Sequence, residues 1–411
     1  MLAYALLQRV LNLLWTFRKT DGRYIHLQQA FEGYKKTNIP LVQYSNGALY
    51  PFCAGDDIGI YWLMPKIALA FNCSIDTVMK LFSYGLPLIA CLSGMLAFFL
   101  LFRLPIQRIV AAIGLIAVLL LSLRIGDVYV VYSSIIVALL PWIFYVCSQE
   151  LEWYIYPFYG VGAGILIGFA HYFRCFAGLS SLIFIILFAA LNKALSNRKK
   201  LSLIFALLIG MIIAHSYMIH QESVYERFAR MHFEKGLLSS QTHYWHTIYV
   251  AFGLLKFGNT HDIKFEDKSA AVLVEKKRIE NSDLISIPTE EILKNEVMRI
   301  FREQSFFVWF TIFAKLGILL LFFLLSANIG IISAWLYGKP WEVELCFASG
   351  ILCSAIIPVI SMPFLTYSLG FIAFCVIYGI MSINYALGSF DMKINFDHLP
   401  FFRLVRRPNR I

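Results

Sequence analysis

Charge is scarce in this chain. Only 15% of its 411 residues are Asp, Glu, Lys or Arg, against about 25% in soluble globular chains. That is too little to clothe a globular surface of this length in water, so a soluble domain is excluded. The chain also has no internal repeat, no low-complexity stretch and no Gly/Ser-rich linker. These absences exclude a repeat solenoid and argue against the inverted-repeat plan of many secondary transporters. Its eight cysteines include no zinc-type pair. No nucleic-acid motif accompanies the net charge of +10, and basic loops facing the cytoplasm account for it more simply.

Apolar length is what the sequence has in excess. It is 59% hydrophobic, with a mean hydropathy of +0.70. The excess is gathered into segments near the ~20 residues needed to cross a bilayer as a helix. Ten stretches qualify as expected crossings: 2–17, 81–102, 109–123, 128–147, 157–171, 176–191, 201–219, 306–325, 343–360 and 363–387. The expected fold is therefore all-α, a polytopic transmembrane helical bundle of about ten spans with extracytoplasmic loop helices. The stretch 2–17 carries Gln8 and Arg9 and has no small-residue cleavage site. It reads as a span, an interfacial helix or a signal anchor rather than a removed signal peptide.

With the N-terminus placed in the cytoplasm, the inner connections are 103–108, 147–156, 192–200, 337–342 and the tail from 391. All but 147–156 are basic, with Arg103, Arg108, Lys193, Arg198, Lys199, Lys200, Lys339, Arg403, Arg406, Arg407 and Arg410. The exception holds Glu150 and Glu152, and acidic residues weigh little in orientation. Both termini are thus expected inside. Two long segments, 20–80 and 220–305, fall outside, where long segments translocate largely regardless of charge. The chain divides into 1–219, an N-terminal transmembrane module containing the loop 20–80; 220–305, an extracytoplasmic helical segment; 306–390, C-terminal transmembrane helices; and 391–411, a basic cytoplasmic tail.

Within the first outer segment, 24–34 reads as a helix and 38–51 as loop. The stretch 58–71 reads as an interfacial helix with Tyr61, Trp62 and Lys66 at headgroup level. In the second, 223–234, 270–280 and 290–303 are helix-like. Cys91, Cys147, Cys346, Cys353 and Cys375 read as small apolar packing residues. Cys53 and Cys73 share one outer loop, and their spacing leaves a disulfide open.

The groups able to do chemistry fall on one predicted side. Asp21-Gly-Arg-Tyr24 follows the first span, and its carboxylate suits a general base or a helix cap. Asp56 and Asp57 precede the interfacial helix and suit either substrate binding or capping. Asp127 lies in the short outer connection after Arg124, where a solvated turn is the plain alternative. His171-Tyr-Phe-Arg174 offers an Arg, which binds phosphate in a fork geometry that Lys cannot match, or which merely snorkels to the interface. His243-Tyr-Trp-His246 places two His three residues apart. With no third ligand at a recognisable spacing, no metal site is assigned, and a divalent cation is the one cofactor left open.

The run Asp21-Gly-Arg-Tyr-Ile-His-Leu-Gln-Gln-Ala30, followed by Gly55-Asp-Asp-Ile-Gly-Ile-Tyr-Trp62, resembles the first extracytoplasmic loop of GT-C glycosyltransferases. These polytopic enzymes use lipid-phosphate-linked sugars, as the protein O-mannosyltransferases and lipid A aminoarabinose transferases do. In that superfamily an acidic residue follows span one. A helix and an aspartate–glycine–aromatic stretch come next, ahead of a membrane-lying helix. Asp127 matches a second acidic group in a later outer loop, and 294–315, with Arg302 and Lys315, is similar to the region before a late span. Asp21 is followed by Gly where many members carry a second acidic residue.

The resemblance implies a polyprenyl-phosphate-linked sugar donor and a glycan, lipid or protein acceptor, with no nucleic-acid partner, in a bacterial inner membrane. It implies Asp21 as base and Arg174 on the donor phosphate, with His171, His243, His246 and Lys315 behind it. Asp127, Asp56, Asp57, Tyr61, Arg23 and His26 are the implied substrate contacts. An O-antigen ligase or polymerase, a transporter or flippase, and a non-catalytic assembly subunit remain alternatives on the sequence alone.

Overall fold

The computed structural model of the chain describes residues 22–52, 58–149, 151–233, 244–260, 262–266 and 268–388. The architecture is an all-α bundle carrying one small β-hairpin. Helix α1 (Gly22–Thr37) leads into strands β1 (Gln43–Ser45) and β2 (Ala48–Tyr50), and α2 (Ile58–Ala70) follows. The bundle comprises α3 (Ile75–Leu101), α4 (Pro105–Ile125), α5 (Val130–Ser148), α6 (Ile155–Phe173), α7 (Leu179–Leu191) and α8 (Asn197–His232). A separate outer module holds α9 (Tyr244–Ala251), α10 (Lys268–Glu280) and α11 (Thr289–Glu303). Helices α12 (Ser305–Tyr337), α13 (Trp341–Ile360) and α14 (Leu365–Ala386) complete the bundle.

Among the described residues seven helices are long and apolar enough to cross a membrane: α3, α4, α5, α8, α12, α13 and α14. The chain is an integral membrane protein. The expected ten crossings are not reached by this measure, for physical reasons. The 13 residues of α7 rise only about 20 Å, short of a ~30 Å hydrocarbon core. Helix α6 is diluted by glycines and tyrosines, and 2–17 lies outside the described residues. Helix α8 has 36 residues, about 54 Å. The expected break near residue 220 is bridged because no Pro or Gly interrupts 211–232.

Burial sorts the spans by position. The hydropathy windows of α5 and α14 are 83% and 78% buried, so these two form the centre. Phe144, Phe184, Phe188, Phe347 and Phe374 pack there from α5, α7, α13 and α14, with ring centroids 5.1–5.8 Å apart. Helices α4, α12 and α13 keep most of their surface for lipid. Apolar residues serve both settings, so hydropathy alone cannot rank them.

Helices α6 and α8 meet along a row of small residues. Gly160, Gly164 and Gly168 are spaced by four and lie on one face. A Cβ at Gly164 would sit 2.1 Å from the Leu207 carbonyl oxygen, and one at Gly210 would sit 2.3 Å from that of Val161. The two backbones therefore touch, the arrangement that lets helices associate where lipid is as apolar as the interface.

Three of the connections, 151–154, 192–196 and 338–340, meet at one end of the bundle. There Lys193 pairs with Glu342 at 3.1 Å, and Lys199 Nζ donates to the Leu151 carbonyl at 2.9 Å. Lys339 pairs with Glu344 at 3.0 Å and rests 3.9 Å from the Tyr378 ring.

In the outer segment the loop expected over 38–51 contains the hairpin, closed by Asn46 and Gly47 at φ +48° and +83°. That dipeptide suits a two-residue hairpin turn. The outer module has its own core, including Tyr249, Phe252, Val274, Leu293, Val297 and Ile300. Beneath it Glu296 is 2% exposed and held by Lys277 at 2.5 Å and Arg299 at 2.7 Å. Burial pushes its carboxyl up, but the hydrogen bonds from Arg299 and Lys277 outweigh that and hold it below the ordinary value.

Two predictions follow from these contacts. Gly164→Leu is expected to cost about 1–3 kcal/mol by overpacking, read as a lowered Tm and folded yield in detergent; wild-type values would contradict the close crossing. A carboxyl with a depressed folded pKa stabilises above its unfolded value of about 4.3. That contribution is lost as pH falls through the folded value. Glu296→Gln should therefore flatten the fall in Tm at acid pH, and an unaltered slope would contradict the role given to this buried carboxylate.

Candidate functional site

Five outer connections converge where α1, α5, α6 and α14 present their ends. Arg23 stands in the first turn of α1. Gly126, in left-handed conformation at φ +56°, ends α4 and turns the chain so that Asp127 and Tyr129 precede α5. Arg23 donates through one nitrogen to both carboxylate oxygens of Asp127, at 3.1 and 3.3 Å. Asp127 also accepts from the Val128 backbone N–H at 2.6 Å.

Arg174 follows the last residue of α6 and is 6% exposed. Its guanidinium lies 4.2 Å from the Tyr129 ring centroid, while that of Arg23 lies 5.7 Å from the same centroid. The Tyr129 hydroxyl donates to that of Tyr367 at 3.0 Å, with the rings edge-on at 4.9 Å. Arg174 is also 6.0 Å from the Tyr367 ring. Among the described residues two guanidinium groups thus flank one tyrosine, with the Asp127 carboxylate on one of them. The groups are partly dehydrated, which strengthens the bonds they make to anions.

The turn carrying Arg174 is strained and pinned. Phe176 sits at φ +63°, a genuine outlier for a bulky side chain and the kind of strain that collects at functional sites. Tyr132 Oη donates to the Cys175 carbonyl at 2.9 Å, and the Phe176 N–H donates to His171 Nδ1 at 3.2 Å. From the outer module, Tyr244 Oη lies 3.2 Å from Cys175 Sγ and its ring meets that of Phe176 at 6.0 Å. Glu290 steadies that module by accepting from the Trp245 and His246 backbone N–H groups at 2.8 and 3.3 Å. Beside the turn a cavity of about 150 Å³ opens between α5, α7, α13 and α14, lined largely by apolar groups with Tyr132, Phe176 and Tyr367 at its rim.

The sequence-expected residues divide clearly. Arg23, Asp127 and Arg174 come together around Tyr129, and His171 supports their turn. Asp21, Asp56, Asp57 and His243 lie outside the described residues, as does Cys53 of the Cys53–Cys73 pairing. Helix α2 nonetheless approaches the cluster, since a Cβ at Gly59 would meet the Tyr172–Phe173 backbone at 3.0 Å. Tyr61 is buried edge-on to Phe52 at 5.2 Å. His26 is half-buried on α1. Lys315 donates to the Val359 and Ser361 carbonyls at 3.0 and 2.8 Å, satisfying acceptors at the end of α13. No group of three or more His, Cys, Asp or Glu side chains able to hold a metal occurs among the described residues.

Tyr367 had no signal in spacing, because it reaches the cluster from a distant part of the chain; Cys175 adjoins Arg174 and Tyr244 adjoins His243, so each had that nearness as a signal. Tyr129 had a signal in its nearness to Asp127.

If Arg23 and Asp127 hold each other, a double-mutant cycle with Arg23→Ala and Asp127→Ala should give a coupling of about 1 kcal/mol in unfolding stability. Strictly additive losses would contradict the pairing.

Comparison of the chain with protein-family models, with curated proteins and with solved structures finds no match.

Proposed function

We propose that the chain is a GT-C-type membrane glycosyltransferase. It moves a sugar from a polyprenyl-phosphate donor to a glycan, lipid or protein acceptor on the extracytoplasmic face of a bacterial inner membrane, with both termini in the cytoplasm. The observation that carries this reading is the pair of guanidinium groups, Arg23 and Arg174, flanking Tyr129 beside an apolar cavity. A phosphate head with an apolar tail matches that combination in charge and in polarity.

In the proposed reaction the donor C–O bond to phosphate breaks and a bond from C1 to the acceptor oxygen forms. The lipid phosphate leaves as a stable anion, so no general acid is required. Arg174 meets the charge that develops on it, a contribution that is often the largest single one. The acceptor hydroxyl loses its proton to a base. Asp127 is poorly suited, since its oxygens already accept from Arg23 and Val128. Asp21 is the better base. It stands two residues before Arg23 in the sequence.

Turnover in membranes, followed by mass spectrometry over a panel of polyprenyl-phosphate sugars, tests these roles. Asp21→Asn is expected to lower it about 10²–10⁴-fold. Arg174→Ala is expected to cost about 10²–10³-fold, and Arg174→Lys to restore little of it, because Lys lacks the fork. Transfer unchanged in Asp21→Asn would remove Asp21 as base. Donor dependence unchanged in Arg174→Ala would remove the phosphate role.

A further inference from the structure

A second hollow lies on the outer surface, on the face of α1 turned toward α3 and the hairpin. Its volume is about 320 Å³, and Tyr24, Gln28, Gln29, Phe31, Glu32, Tyr44, Ser74 and Asp76 line it. That volume is at the lower end of the ~300–1,000 Å³ common for ligand sites. None of the reaction roles above uses these residues.

The lining is of a particular kind. Gln28, Gln29 and Ser74 both donate and accept hydrogen bonds, and the Glu32 and Asp76 carboxylates accept them. Tyr24, Phe31 and Tyr44 add ring surface, which suits the C–H face of a polar ring as well as its edges. Gln28 Nε2 donates to Tyr24 Oη at 3.2 Å, so the amide is oriented before any ligand arrives. Asp76 lines the hollow with one oxygen held by Lys80 at 3.0 Å, while its Oδ1 has no hydrogen-bond partner among the described residues. Tyr24 and Asp76 both line the hollow; burial, with the nearby charge of Asp76 adding to it, raises the Tyr24 hydroxyl above its ordinary pKa.

The charge of the hollow selects its ligand. Glu32 and Asp76 bring two carboxylates. Lys80 is tied to Asp76 at 3.0 Å, and Lys36 sits 3.2 Å from the Tyr44 ring centroid. No arginine is among the described residues that line it. A phosphate or uronate would meet unfavourable carboxylates, whereas a neutral polyol meets acceptors and amides in turn.

We infer that this hollow is a subsite for a neutral, hydroxyl-rich glycan chain. Resting on the transferase reading, it is where the acceptor lies as it leaves the Arg23–Asp127 pair. Arg23 and Tyr24 are adjacent on α1, so one helix carries a residue of each site. The acceptor is then a glycan rather than a lipid or protein.

The test uses the full chain in lipid nanodiscs and reads binding by saturation-transfer NMR. The probes are maltotriose, α-mannotriose and N,N′,N″-triacetylchitotriose, with trigalacturonate as the anionic control. The inference expects millimolar binding of at least one neutral trisaccharide, at least tenfold weaker binding of trigalacturonate, and a tenfold or greater loss in Gln28→Ala/Tyr44→Ala. Gln28 is exposed, and Gln28→Ala alone, checked for unchanged Tm, guards against a folding defect. No transfer to any neutral probe, or equal binding in the variants, would overturn it. Binding is read without turnover, so the two proposals fail separately. Glycan bound without any sugar transfer would count against the transferase reading alone. Sugar transfer with no glycan bound would count against the hollow alone.

Discussion

Arg174 has to be kept in place at the membrane edge, buried and charged, and much of the outer architecture serves that requirement. An isolated guanidinium at this depth would be costly to leave without water. Here the Tyr129 and Tyr367 rings offer their negative faces, and the strained turn at Phe176 is held by Tyr132, His171 and the outer module. Through Tyr367 the C-terminal helices take part in the site, and through Tyr244 the outer module does.

The scaffold beneath is stiff for a reason that lies in its glycines. Backbone contact between α6 and α8 fixes the end of α6, and so fixes the turn after it, within the tolerance of packed main chain. The central helices α5 and α14 carry Tyr129's neighbours and Tyr367 at their outer ends. At the opposite end Lys193 pairs with Glu342 and Lys339 with Glu344. Among the described residues one end thus carries two arginines around a ring and the other a set of paired charges.

Much of this was legible in the residues. Apolar runs located the bundle. Asp127 and Arg174 stood out as charges beside long apolar stretches, and they do meet around one tyrosine. The crossings were harder, because a 13-residue helix and a glycine-diluted one read as spans by their apolar flanks alone. Lys315 shows the limit of reasoning from charge. A lysine in an apolar span suggests an ion or substrate, yet its three donors are equally useful on carbonyls freed at a helix end. The Asn46-Gly47 hairpin signal was present and passed unused within a stretch taken as loop. Tyr367 could not be found from spacing, since 238 residues separate it from Tyr129.

The central claim is that the Arg23–Arg174 mouth holds a lipid phosphate. Native mass spectrometry of the full chain with an equimolar mixture of polyprenyl phosphate and the matching polyprenyl alcohol measures this directly. The account predicts that wild-type protein retains the phosphate over the alcohol and that Arg174→Ala retains both equally. Equal retention by the wild type, or an undiminished preference in the variant, would contradict it.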